Sequence, residues 1–254
     1  MMAGVRAMVA GALLYLILWL RGHSHPKPPE WLGAGMVGFL LLTIGSGTVT
    51  YVQQTVSSSV AALAIATVPI WIAIFSSFWG HHPNKREWLG IMIGCVGIVL
   101  LNFGGSLQGN ISSALLLMFA AAAWSLGSIW GKHLAMPKGL MGAACQMIIG
   151  GLILLGLSYI QGETWPSQIS KKSWLAMVFL VIFGSMIAYS AYQYLLKTVR
   201  PLIASSNTFV NPMVAFVVGI WLANEQVTTL EYAALAVILV GVYLVLTAEE
   251  QSTL

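Results

Sequence analysis

Apolar runs of about 20 residues recur from one end of the chain to the other, each long enough to cross roughly 30 Å of hydrocarbon as a helix. Nine such segments are drawn at residues 3–20, 32–52, 58–79, 88–103, 112–130, 140–160, 174–196, 202–222 and 230–247, with Pro, Gly or charged clusters between them. Of the 254 residues, 58% are hydrophobic and only 7% charged, too little charge to cover a water-facing surface. A soluble globule is excluded, and the expected fold class is an all-α polytopic membrane protein. The longest loops fall near 21–30 and 161–173, so no separate extramembrane domain is expected and function must lie within the bundle.

Eleven Lys and Arg against seven Glu and no Asp give a formal charge of +4. In a membrane protein such an excess sets orientation before it suggests nucleic acid, and no nucleic-acid role is assigned. One set of alternate loops holds Arg21, Lys27, Lys85, Arg86, Lys132, Lys138, Lys197 and Arg200, whereas the other holds Lys171 and Lys172, with Arg6 near the start on that side. Eight against three places the first set in the cytoplasm together with the C-terminus. The first written segment then starts outside.

An internal repeat accounts for that odd start. At an offset of 139, Met2, Met8, Gly11, Leu13, Leu16, Gly45 and Ser46 meet Met141, Met147, Gly150, Leu152, Leu155, Gly184 and Ser185. At 143, Thr55, Val56, Ala61 and Pro69 meet Thr198, Val199, Ala204 and Pro212; at 144, Glu87, Val96, Gly97 and Leu100 meet Glu231, Val240, Gly241 and Leu244. The segment at 112–130 has no counterpart in the first half, which leads to the expectation of one further helix ahead of Met1. Nine helices are then present of a ten-helix, five-plus-five inverted-repeat bundle: residues 1–104 carry helices 2 to 5 of the first repeat, and 110–248 carry helices 6 to 10 of the second.

The short-loop pattern, Met2-Ala3-Gly4-Val5-Arg6, Trp124 with Ser128 in the unpaired segment, Asn211-Pro212 and Glu225 resemble the EamA-type members of the drug/metabolite transporter superfamily, the YedA-like branch in particular. The likeness covers essentially the whole chain, with Asn224-Glu225 standing where the family usually has Gly-Glu. It implies transport of amino acids, related metabolites or toxic compounds, commonly as export.

Chemistry inside the bundle is sparse. No carboxylate lies near the middle of a segment, and the five histidines fall in loops, with His81-His82 lacking the i, i+4 spacing of a metal pair. No metal, cofactor or catalytic residue is assigned, and the chain is not expected to be an enzyme. Glu87 and Glu231 sit at helix starts, where a carboxylate meets the positive helix end. Arg6 and Glu225 are the candidate gating or structural charges.

Polar stripes mark a candidate pathway. Thr43, Ser46 and Thr50 share one helical face, as do Ser185, Tyr189 and Tyr192 on the equivalent helix of the other repeat; Asn207 and Asn211 share a third, and Gln146 is buried in its segment. Such groups either bond neighbouring helices or line a cavity. Pro69 and Pro212 are expected to kink their helices mid-span beside Thr67 and Asn211. The candidate substrate-binding set is Thr50, Thr67, Gln146, Ser185, Tyr189, Tyr192, Asn207 and Asn211. Expected partners are the lipid bilayer and a small-molecule substrate, with a homodimer as an option. The expected function is secondary transport by alternating access; the alternatives are a small-molecule channel or a non-enzymatic membrane protein inactive for want of its first helix, with a membrane-embedded enzyme disfavoured.

Overall fold

The computed structural model describes residues 1–56, 61, 64–80, 82–101, 111–164, 170–210 and 229–248, all of them helix or connecting turn, with no strand. The helices are α1 (Met2–Leu20), α2 (Pro28–Val52), α3 (Val68–Phe78), α4 (Lys85–Leu101), α5 (Ile111–Trp130), α6 (Met141–Ile160), α7 (Lys171–Thr198), α8 (Pro201–Ser205) and α9 (Thr229–Thr247). Among the described residues α1, α2, α5, α6 and α7 are long and apolar enough to cross a membrane. The chain is an all-α polytopic membrane protein.

Helix ends follow local chemistry. Lys27 precedes two prolines in the first turn of α2, and its backbone N–H donates to Glu30 Oε2 at 2.7 Å. At the start of α4, Asn84 and Glu87 cap reciprocally: Asn84 N–H donates to Glu87 Oε2 at 2.7 Å, and Glu87 N–H to Asn84 Oδ1 at 2.8 Å. Ser170 Oγ accepts from Ser173 N–H at 3.1 Å to open α7. Helices α1 and α6 end alike, with Gly22 at φ +84° and Gly162 at φ +72°. After each glycine the chain closes back over the last turn, His23 N–H onto Leu18 O and Glu163 N–H onto Ser158 O, both at 3.1 Å.

Two helices leave the α pattern in their middle. In α2 the stretch Phe39–Gly47 is π-helical, and in α7 so is Leu180–Tyr189. Both contain one of the Gly-Ser pairs that the repeat aligns, Gly45-Ser46 and Gly184-Ser185. Widened turns of this kind are rare and concentrate at functional sites.

The chain forms two compact units. One comprises Met1–Thr50 with Leu126–Val199, the other Tyr51–Ser125 with Arg200–Leu254, so each draws on both halves of the sequence. In the first, α1 packs along α6, α6 also packs on α2, and α1 packs on the π-helical part of α7. Small residues permit the close approach: a Cβ added at Gly151 would lie 2.5 Å from Met8 N, and one at Gly11 would lie 2.7 Å from Ile148 N. Thr43 Oγ1 donates to Gly150 O at 3.3 Å across the α2–α6 contact, so this member of the polar stripe holds two helices together.

In the second unit α4 pairs with α9, and α8 packs on α3. A Cβ at Gly241 would lie 2.6 Å from Gly94 N. Phe209 is fully enclosed with Ala66, Ile98 and Ile238, and a Cβ at Gly94 would meet its ring at 2.8 Å. Glu87, only 1% exposed, pairs with Arg200 at 2.7 Å beside the α8 start, and Asn84 Nδ2 donates to Ala248 O at 3.1 Å. These contacts tie the α4 cap to α8 and to the end of α9.

Pro69 behaves differently from the sequence expectation. The chain turns at Ala66 and Thr67, and α3 starts at Val68, so Pro69 occupies the first turn of a new helix and bends no continuous one. Its fixed φ and missing N–H suit that place, because the first-turn N–H groups have no helical acceptor. Thr67 Oγ1 donates to Ala64 O at 2.6 Å across the turn. Asn211, Pro212 and Glu225 lie outside the described residues.

Candidate functional site

The first unit holds a buried polar network on α5, α6 and α7. Tyr189 OH donates to Gln146 Oε1 at 2.6 Å, which turns Gln146 Nε2 toward Gln193 Oε1 at 3.4 Å. Ser128 Oγ and Tyr192 OH are 2.8 Å apart. All five side chains are enclosed, Gln146 at 1% and Gln193 at 7% exposure. Helical spacing assembles them: Tyr189, Tyr192 and Gln193 are three and four residues apart on α7 and therefore share a face. Gln193 Nε2 is fully enclosed within this network, against Tyr189.

Beside this network lies a cavity of about 530 Å³, lined by Val37 of α2, Gly127 and Ser128 of α5, Gln193, Leu196 and Lys197 of α7, and the turn from Gly131 to Gly139 including Lys132 and Lys138. Its size is that of a small-metabolite site. Gly127 and Gly131 let α5 lie against α2: a Cβ at Gly127 would come 2.2 Å from Leu41 Cδ1, and one at Gly131 would come 3.2 Å from Val37 Cγ2. Lys132 Nζ donates to Val199 O at 3.2 Å, and Lys197 Nζ reaches the carbonyls of Pro137 and Gly139 at 3.4 Å each. Partial burial at the rim lowers the pKa of the Lys132 ammonium from its ordinary value.

Of the sequence-derived candidates, Gln146 and Tyr189 are bonded to each other, and Tyr192 belongs to the same unit through Ser128. Ser185 is buried in the π-helical part of α7. Thr50 is exposed, and its hydroxyl donates to Ser46 O one turn back at 2.8 Å. Thr67 and Asn207 belong to the second unit, where Asn207 Oδ1 is buried without a donor. Arg6, on α1, is half-buried with its Nε unpartnered, and it does not line the cavity. Sequence reasoning missed Gln193, Lys132, Lys138 and Lys197. The signal was available in the spacing, since Ser128 with Lys132 and Gln193 with Lys197 are both i, i+4 pairs at a helix end.

A helical membrane bundle with an enclosed polar network beside a metabolite-sized cavity is an arrangement that a membrane transporter can use. The chain belongs to the EamA-like transporter family, whose sequence profile matches residues 1–103 and 111–247. It is 42% identical over 246 residues to the inner membrane transporter YedA of Escherichia coli strain K12, spanning 96% of this chain and 80% of that protein. A transporter of Synechocystis sp. is 27% identical over 267 residues, with the same two coverages of 96% and 80%. A crystal structure at 18% identity superposes with a TM-score of 0.80 over 98% of this chain and 88% of that one, a likeness of fold.

Proposed function

We propose that the chain is a secondary transporter that exports small metabolites, amino acids or related or toxic compounds among them, by alternating access across a bacterial inner membrane, with its C-terminus in the cytoplasm. The observation that carries this reading is the network Tyr189–Gln146–Gln193 with Ser128–Tyr192 beside the cavity: it supplies neutral donors and acceptors where helices alone would be packed with apolar groups. Gln146, Ser185, Tyr189 and Tyr192 are the solute-contacting candidates of the first unit. The name of the Escherichia coli relative supports the inner-membrane setting.

The inverted-repeat reading, with repeats at 1–104 and 110–248, is supported by the pairing of aligned helices. Helix α1 packs on α6 and α4 on α9, the π-helical stretches fall in aligned segments, and Gly22 and Gly162 close their helices identically. Odd-numbered repeats of opposite orientation suit alternating access.

The test is counterflow in proteoliposomes. Vesicles loaded with one unlabelled metabolite should take up its labelled form faster than empty vesicles, with a rate that saturates. Uptake that rises linearly with concentration and ignores internal loading would identify a channel and refute alternating access.

A further inference from the structure

The cavity carries three lysines in its lining and no acid to balance them. Lys132, Lys138 and Lys197 all line it, none of its lining residues is acidic, and none of the three pairs with a carboxylate among the described residues. Lysines in short cytoplasmic loops ordinarily meet lipid headgroups, as the exposed Lys85 and Arg86 can at the start of α4. Lys132, Lys138 and Lys197 are exposed too, but they line one concave volume supplied by two helix ends and the turn between α5 and α6.

The neutral donors point to the same chemistry. Ser128 and Lys132 stand one turn apart on α5 and its following turn, while Gln193 and Lys197 stand one turn apart on α7, so the two ladders bring a hydroxyl, an amide and two ammonium groups to the cavity wall. Gln193, more than nine-tenths buried, is among the cavity's lining residues. Lys132 and Lys197 each donate to backbone carbonyls, and an ammonium carries three N–H groups. A solute bearing an amine would meet like charge here, whereas an oxyanion would meet charge-assisted donors.

We infer that this cavity is an oxyanion site of Gln193, Lys132 and Lys197, with Lys138 at its rim, which among the solutes proposed above selects those of net negative charge, acidic amino acids included, over neutral zwitterions. This deepens the transport reading by naming the charge class of the solute, and it rests on that reading only for the solute's onward passage.

Binding is tested without transport. The full chain, in nanodiscs of phosphatidylcholine alone, is treated with an amine-modifying reagent, and modification of each lysine is followed by mass spectrometry with succinate, inorganic phosphate or alanine at about 1 mM, the upper end of ordinary substrate affinities. Succinate or phosphate should slow modification of Lys132 and Lys197 several-fold, alanine should not, and Lys171 and Lys172 should react at an unchanged rate. Gln193→Leu should raise the half-protecting concentration about tenfold, equivalent to about 1.4 kcal/mol, and Lys197→Gln should remove protection at Lys132. Equal protection by alanine, equal protection at Lys171, or no protection by either anion would overturn the site. Protection by phosphatidylglycerol nanodiscs with no added anion would likewise replace it with a lipid headgroup contact. If protection holds while counterflow fails, the oxyanion site stands and the transport reading falls; counterflow without protection sinks the oxyanion site alone.

Discussion

Removing Arg200 should cost the second unit more than removing the charge of its partner Glu87, because the two ends of the ion pair are buried so unequally. The carboxylate is 1% exposed and the arginine side chain 32%, with 2.7 Å between Oε1 and Nη2. At an effective dielectric of about 20 the gross attraction at this separation is about 6 kcal/mol, most of which offsets the desolvation of Glu87. Arg200→Met strands a buried carboxylate. Loss of one partner of a buried pair typically costs about 3–5 kcal/mol; partial exposure of the arginine and the surviving bond from Asn84 N–H bring the expected cost to about 2–3 kcal/mol. Glu87→Gln keeps an oxygen for the cap and leaves an arginine that can turn to water, so about 1 kcal/mol is expected. The double variant should be less destabilised than the two single losses added together. Reversible unfolding in mixed micelles, followed by tryptophan fluorescence, measures all four proteins. An Arg200→Met cost no greater than that of Glu87→Gln, or strictly additive losses, would refute the pair's role as the lock between the α4 cap and α8.

Three further outcomes follow from the geometry. Gly22→Ala and Gly162→Ala should each cost about 1–2 kcal/mol because alanine must adopt a left-handed conformation, while Gly156→Ala, on an open helical face, should be neutral or stabilising by up to about 1 kcal/mol in the same unfolding assay. Gly151→Val should lower folded yield sharply, since even one Cβ would lie 2.5 Å from Met8 N, and a normal yield with an unchanged melting curve would contradict the α1–α6 contact. Lys85 should react with an impermeant amine reagent from the cytoplasmic side and Lys171 from the opposite side; the reverse pattern would invert the proposed orientation.

Sequence made the spans legible because hydrocarbon thickness imposes a length and an apolar composition that few other folds share: residues 3–20, 112–130 and 140–160 match α1, α5 and α6 to within a residue or so. Helix caps were readable where chemistry is local, as at Glu87. The interruption before Pro69 was less so, since a proline in an apolar run fits a kink or a helix start equally well, and only the turn at Ala66 and Thr67 decides. The π-helical stretches left no local signal beyond the paired Gly-Ser. For the site, Gln146, Tyr189 and Tyr192 stood out as polar groups in apolar surroundings, yet that pattern could not separate Thr43, which bridges helices, from groups beside a cavity. Gln193 and the lysines escaped notice because loop lysines carry the orientation signal, and their convergence depends on how the turn from Gly131 to Gly139 folds against the end of α7.

The central claim is that the network on α5, α6 and α7 contacts the transported solute. Its most direct measurement is counterflow per folded molecule in proteoliposomes for the native chain, Tyr189→Phe and Gln146→Leu, with the folded fraction fixed by size-exclusion profile and thermal unfolding. The hydrogen bonds lost are worth about 0.6 kcal/mol each on average within membranes, so both variants should insert and fold. The account predicts that flux per folded molecule falls at least severalfold in both, because the solute loses its polar partners. Unchanged flux per folded molecule in both variants, with stability alone reduced, would contradict it and leave Gln146 and Tyr189 as ties between helices.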